Sequence, residues 1–162
     1  MKLIPKIGFS TNIFDNPADM SALVHKLSET YSVIEIEFEK QFRAMIDDDP
    51  QFWENQCHQL NALRQERGLY FSVHAPYIGI DTDISNKDEV IRLSAVDYLR
   101  RYVIKAAALG AKIITIHPGY VDFDNNGMGD FDFSQLSKSL ESLADVALDH
   151  GIEILLENTG SD

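Results

Sequence analysis

Val33-Ile34-Glu35-Ile36-Glu37-Phe38 alternates apolar and acidic residues with a period of two. A strand has that period, so Ile34, Ile36 and Phe38 share one face and Glu35 and Glu37 the other. The same alternation recurs along the chain. Phe71 and Val73 oppose Ser72 and His74, Ile114 and Ile116 oppose Thr115 and His117, and Ile154 and Leu156 oppose Leu155 and Glu157. Each run has one apolar face and one that turns polar toward its C-terminal end. The five strand-like runs cover 6–10, 33–38, 70–74, 112–117 and 152–157.

Between them lie segments of helix length. Met20, Leu23, Val24 and Leu27 form one apolar stripe, and Ile91, Ala95, Tyr98, Leu99, Tyr102, Ala106 and Leu109 a second. Leu136, Leu140, Leu143, Ala144, Ala147 and Leu148 form a third. Asn16-Pro17 and Asp49-Pro50 each put a capping side chain before a proline at the first helical position. Gly68, Gly110 and Gly151 each follow a helical segment and precede a strand, as C-terminal glycine caps do.

Strict alternation of strand and helix predicts parallel strands joined by right-handed crossovers. A doubly wound sheet buries both faces under helices and reads as continuous apolar runs. Here only one face is apolar, and no Gly-x-Gly-x-x-Gly turn follows the first strand. The pattern predicts a TIM-type (β/α) barrel, with helices outside and a polar crown at the strand C-termini. Such a barrel needs eight strands and about 250 residues. The 162 residues supply strands 1 to 5 and helices 1 to 4, in a single partial domain over 1–162. A chain stopping at a central strand leaves an unpaired apolar edge. The expectation is therefore the N-terminal part of a longer protein or, should this length be natural, self-association through the open edges.

Apolar content of 44% and charged content of 25% are ordinary for a globular protein, whereas a net charge of -12 is not. It disfavours nucleic acid and anionic membrane as partners. The densest basic segment, Arg100-Arg101 with Lys105, lies within a helical stripe. No apolar run is long enough to span a bilayer. One cysteine, Cys57, rules out an internal disulfide and fits a reducing compartment, the cytoplasm. It reads as a buried packing residue.

His74, His117 and Glu157 each close a strand run on its inward face, on three successive strands. The C-terminal strand ends are where barrels gather ligands. Imidazole and carboxylate donors suit Zn²⁺, Mn²⁺ or Fe²⁺ rather than Ca²⁺. Glu37 also points inward, either toward a substrate hydroxyl and the ligands or into a charge pair with Lys or Arg. Tyr77 either lines the mouth as a stacking platform or packs under a loop. Asn158 and Thr159 either bond a ligand or shape a turn. Over 119–133, Asp122, Asp124, Asn126 and Gly127 match the start of a calcium loop, but Phe133 stands where its glutamate belongs. A loop over the barrel mouth is the better reading.

Val73-His74-Ala75-Pro76-Tyr77, Ile116-His117-Pro118-Gly119 and Leu156-Glu157-Asn158-Thr159 resemble the xylose isomerase-like barrel superfamily, which includes endonuclease IV and many sugar isomerases and epimerases. The resemblance covers the whole chain, as five of eight βα units. It implies a divalent metal, Zn²⁺ or Mn²⁺, on Glu157 with His74 and His117. In isomerase and epimerase members the glutamate matching Glu157 also moves a proton at a sugar carbon, so Glu157 is the implied catalytic residue, with Glu37, Tyr77 and Asn158 near substrate. Endonuclease IV-like members use the same three positions for zinc and cleave beside abasic sites in DNA. The run Ile78-Gly79-Ile80-Asp81 departs from the Asn-Leu those members carry. The leading expectation is a metal-dependent sugar or sugar-phosphate isomerase/epimerase, inactive without strands six to eight. The alternatives are an abasic-DNA phosphodiesterase and a non-catalytic assembly partner.

Overall fold

The structure, a computed structural model, describes residues 7–13, 19–119, 121–122, 127–128 and 132–157. Its strands are β1 (Gly8–Ser10), β2 (Val33–Glu37), β3 (Tyr70–His74), β4 (Ile113–Ile116), β5 (Val121–Asp122), β6 (Gly127–Met128) and β7 (Glu153–Leu156). Its helices are α1 (Met20–Leu27), α2 (Lys40–Asp48), α3 (Pro50–Arg67), α4 (Glu89–Ala108) and α5 (Phe133–His150). Five strands form one parallel sheet in the order β1-β2-β3-β4-β7. The order never reverses. Right-handed crossovers in an unreversed order put every helix on the same face, which is the winding of a barrel wall rather than of a doubly wound sheet.

Local chemistry sets the helix limits. Asp19, Asp49, Asp88 and Asp132 each accept backbone N–H groups at the start of α1, α3, α4 and α5. α1 therefore begins at Met20, and Asn16-Pro17 lies outside the described residues. The second crossover holds two helices where the sequence suggests one. Pro50 cannot continue a helix arriving from α2, and the extended Asp49 (φ -130°) caps a new one. Gly68 and Gly151 end α3 and α5 in the left-handed conformation.

The apolar strand faces build the core. Ile34, Ile36, Phe38, Phe71, Val73, Ile114 and Ile116 are buried against Val24, Leu60, Leu99, Tyr102, Val103 and Leu143. Each such side chain contributes about 1.5–3 kcal/mol relative to exposure. Phe38 sits at the centre, against Phe42, Trp53 and Tyr102. Three apolar residues depart from their stripes. Leu156 is 46% exposed because β7 pairs only with β4 among the described residues, and on α5 Ala144 is exposed and Leu148 is 82% exposed. Cys57 is half-buried, its thiol directed at the Ala108 carbonyl. β5 and β6 form an antiparallel hairpin in the loop after β4, too short for a period-two pattern to register. Among the described residues no helix is long and apolar enough to cross a membrane.

Candidate metal centre

The register carries the polar ends of the strands to one place. Glu37 of β2 pairs with His74 of β3, and His74 with Thr115 of β4, two residues before His117. Ile116 pairs with Leu156, so His117 and Glu157 leave β4 and β7 side by side. His74 ends its strand; the other two stand one residue beyond theirs, where the Glu157 amide still donates to the Ile116 carbonyl.

The three side chains meet. His74 Nε2 lies 3.0 Å from Glu157 Oε2, His117 Nε2 lies 3.3 Å from the same oxygen, and the two Nε2 atoms are 3.3 Å apart. Among the described residues these three are the group whose donor atoms could hold one metal ion. Donors bound to a metal at about 2.1 Å stand roughly 3.0–3.4 Å from one another in octahedral or tetrahedral geometry. The observed triangle has those edges, and two imidazoles with one carboxylate suit Zn²⁺ or Mn²⁺, so the residues fit a divalent ion.

Each ring is held. His74 Nδ1–H donates to the Ala75 carbonyl at 2.9 Å, which directs Nε2 at the centre. His117 Nδ1 is buried without a hydrogen-bond partner among the described residues, and its ring is fixed by stacking instead. Tyr77 lies almost parallel to it, with centroids 4.4 Å apart and planes 18° apart, and meets His74 edge-on at 5.1 Å. Tyr77 thus packs against both histidine rings.

Burial opposes the charged form of His74, but the Glu37 charge and the hydrogen bonds to Glu157 and Ala75 outweigh it and raise its pKa. Burial and the neighbouring His74 lower that of His117 against the pull of Glu157. The hydrogen bond from His74 holds Glu157 below the usual carboxylate range, against burial and with help from both histidines. Burial pushes the Tyr77 phenol up to about 12, with the Glu37 and Glu39 charges adding to it. Glu37 is buried, and its side chain hydrogen-bonds Tyr77. Asn158 and Thr159 lie outside the described residues, as do Asp124 and Asn126.

Two residues escape the strand pattern. Glu39 Oε1 accepts from the amides of Tyr77 at 2.6 Å and Ile78 at 2.9 Å, and Arg43 donates to the Ile78 carbonyl at 2.6 Å. The Glu35-Glu37-Glu39 alternation, continued past β2, is the signal that marks Glu39.

Five parallel strands in barrel order, with His74, His117 and Glu157 gathered at their C-terminal ends, define a TIM-barrel segment. Residues 24–162 match the family described as xylose isomerase-like TIM barrel, and the chain belongs to it. A D-psicose 3-epimerase from Clostridium cellulolyticum H10 has a similar fold, with TM-score 0.74 and 18% identity over 94% of this chain and 52% of that one. A 3-keto-D-glucoside 4-epimerase from E. coli gives 0.67 and 22% over 96% and 57%. An uncharacterized protein of Methanocaldococcus jannaschii is 28% identical over 161 residues, which are 96% of this chain and 57% of the relative. A second from that organism is 32% identical over 109 residues, 61% of this chain and 33% of the relative. The chain thus spans about half the length of most of these proteins, or less.

Proposed function

We propose that the chain carries the metal-ligating strands of a divalent-metal-dependent sugar or sugar-phosphate isomerase/epimerase. The observation that carries this reading is the convergence of His74, His117 and Glu157 in a triangle of metal-ligand dimensions. The similarity in fold to sugar epimerases supports a small sugar as substrate. A net charge of -12 suits a neutral sugar better than a polyanion.

His74 and His117 would hold the ion through Nε2, and Glu157 through Oε2. A bound divalent ion supplies a Lewis acid for adjacent substrate oxygens. Glu157, 45% exposed at its side chain, offers the second oxygen of its carboxylate as the base for a proton on the sugar carbon beside the carbonyl, and a second carboxyl, from a last barrel strand that this chain does not contain, would return a proton to the opposite face. Glu37 and Tyr77 would shape the polar wall next to that carbon, and Asn158, the next residue in sequence after Glu157, would contact the substrate. The lone Cys57 supports a reducing compartment such as the cytoplasm.

The decisive assay uses the full-length protein, with all eight strands, and follows ketose epimerisation in D₂O with Mn²⁺ or Zn²⁺ present. Epimer formation with deuterium at the inverted carbon, abolished in Glu157→Gln, is the expected result. The two-histidine donor set favours one second reading, a zinc phosphodiesterase acting on abasic DNA. Steeply salt-dependent cleavage of abasic DNA without sugar turnover would establish it and overturn the first.

A further inference from the structure

We propose that Glu39 and Arg43 are positioning residues that set the metal-ligating histidines through Tyr77. Together they grip the peptides on either side of Ile78, Glu39 taking the N–H of Tyr77 and of Ile78 and Arg43 taking the Ile78 carbonyl. The grip is itself braced. Arg43 pairs with Glu39 at 3.5 Å and with Asp81, and donates from Nε to the Tyr98 hydroxyl at 2.7 Å. Tyr98 in turn donates to Asp47 at 2.6 Å, which ties the loop after β3 to α2 and α4.

Glu39 is only 5% exposed. A carboxylate in that setting is costly unless its oxygens are satisfied, and two of its donors are backbone groups of the segment that presents Tyr77. Tyr77 departs from this anchored peptide to lie flat on His117, whose Nδ1 has no hydrogen-bond partner to orient it among the described residues. Ring orientation at His117 therefore depends on the stack together with the Nε2 contacts to Glu157 and His74, and the stack depends on the Glu39–Arg43 clamp.

The effect on an ion rests on the function proposed above, whereas the effect on the rings does not, and the experiment separates them. Histidine ring protons are assigned by NMR in the metal-free, isotope-labelled protein, where the Tyr77 ring current displaces those of His117. Tyr77→Ala marks the position without the stack. Glu39→Ala is expected to move the His117 resonances most of the way to that position. Glu39→Gln, which keeps an acceptor oxygen, should move them less. Zn²⁺ titration of Glu39→Ala should show binding weakened about tenfold. Wild-type His117 resonances in both Glu39→Ala and Arg43→Met, with Tyr77→Ala displaced, would overturn the proposal. A wild-type protein that binds no Zn²⁺ would sink the metal reading, while the ring shifts still decide the positioning role. Should Glu39→Ala fail to fold, Glu39→Gln and Arg43→Lys decide it by the same shifts.

Discussion

His74 Nε2 and His117 Nε2 stand 3.3 Å apart and face the same oxygen of Glu157. Two imidazole nitrogens at that separation cannot both carry a proton directed at each other. The pKa directions resolve the conflict, with His74 favouring its charged form and His117 its neutral one. A cation shared by all three groups resolves it better. Elemental analysis of the purified protein should find stoichiometric Zn²⁺ or Mn²⁺, lost from the His74→Ala, His117→Ala double variant. Equal metal content in both proteins would sink the site.

Ion binding needs the Nε2 lone pair of His74, so a proton must leave whenever the pH lies below its raised pKa. Affinity for Zn²⁺ should rise with pH and level off above that pKa. Calorimetry at about pH 6 in two buffers of different ionisation enthalpy should show proton release. Heats that ignore the buffer would contradict it.

The metal-free protein has a pH window of its own. His74 is raised from 6.5, so its contribution is complete below that value and fades as pH climbs through the folded pKa. Glu157 is lowered from 4.5, so its contribution is complete above that value and fades as pH falls through the folded pKa. Both act together between 4.5 and 6.5. Thermal melts of metal-free wild type against Glu157→Gln should differ most in that window and converge on either side.

Ser139 is fully buried, accepts a hydrogen bond from Arg92 at 2.8 Å and donates to the Ile84 carbonyl at 2.8 Å. It joins α5, α4 and the segment before α4. Ser139→Ala strands both partners and should cost about 1–3 kcal/mol. Urea titration should show a lower midpoint with the slope unchanged.

Gly79 has φ 101°, and a Cβ there would lie 2.9 Å from one oxygen of the Asp81 carboxylate, whose other oxygen Arg43 holds. Gly79→Ala meets both the backbone strain and the clamp. A loss of about 1–3 kcal/mol is expected in urea unfolding, with the His117 ring protons displaced as well. A loss confined to stability would mean that the loop yields without moving Tyr77.

Much of the fold and of the candidate site is legible in the amino-acid sequence. The alternation at Ile34 to Phe38 fixes which face meets the helices, and the repeated inward ends fix where His74, His117 and Glu157 gather. Period and register are local properties of a strand, so sequence carries them. What it misses is made by chain segments brought together from afar. Glu39 lies past the end of β2, and its partners are amides, which have no residue signature. The stack of Tyr77 on His117 joins residues forty positions apart in different loops. The split between α2 and α3 is written at Asp49-Pro50, where the proline marks a start and equally forbids a helix running through.

Four of the acidic residues behind the net charge of -12 stand at helix starts, as Asp19, Asp49, Asp88 and Asp132. Asparagine caps a helix about as well as aspartate. Anyone wishing to make the surface less anionic, for a crystallisation screen or a charged-surface immobilisation, can therefore change these four positions to asparagine and leave the architecture standing. The same four sites changed to alanine would remove the identical charge and unpick the fold from its helix ends.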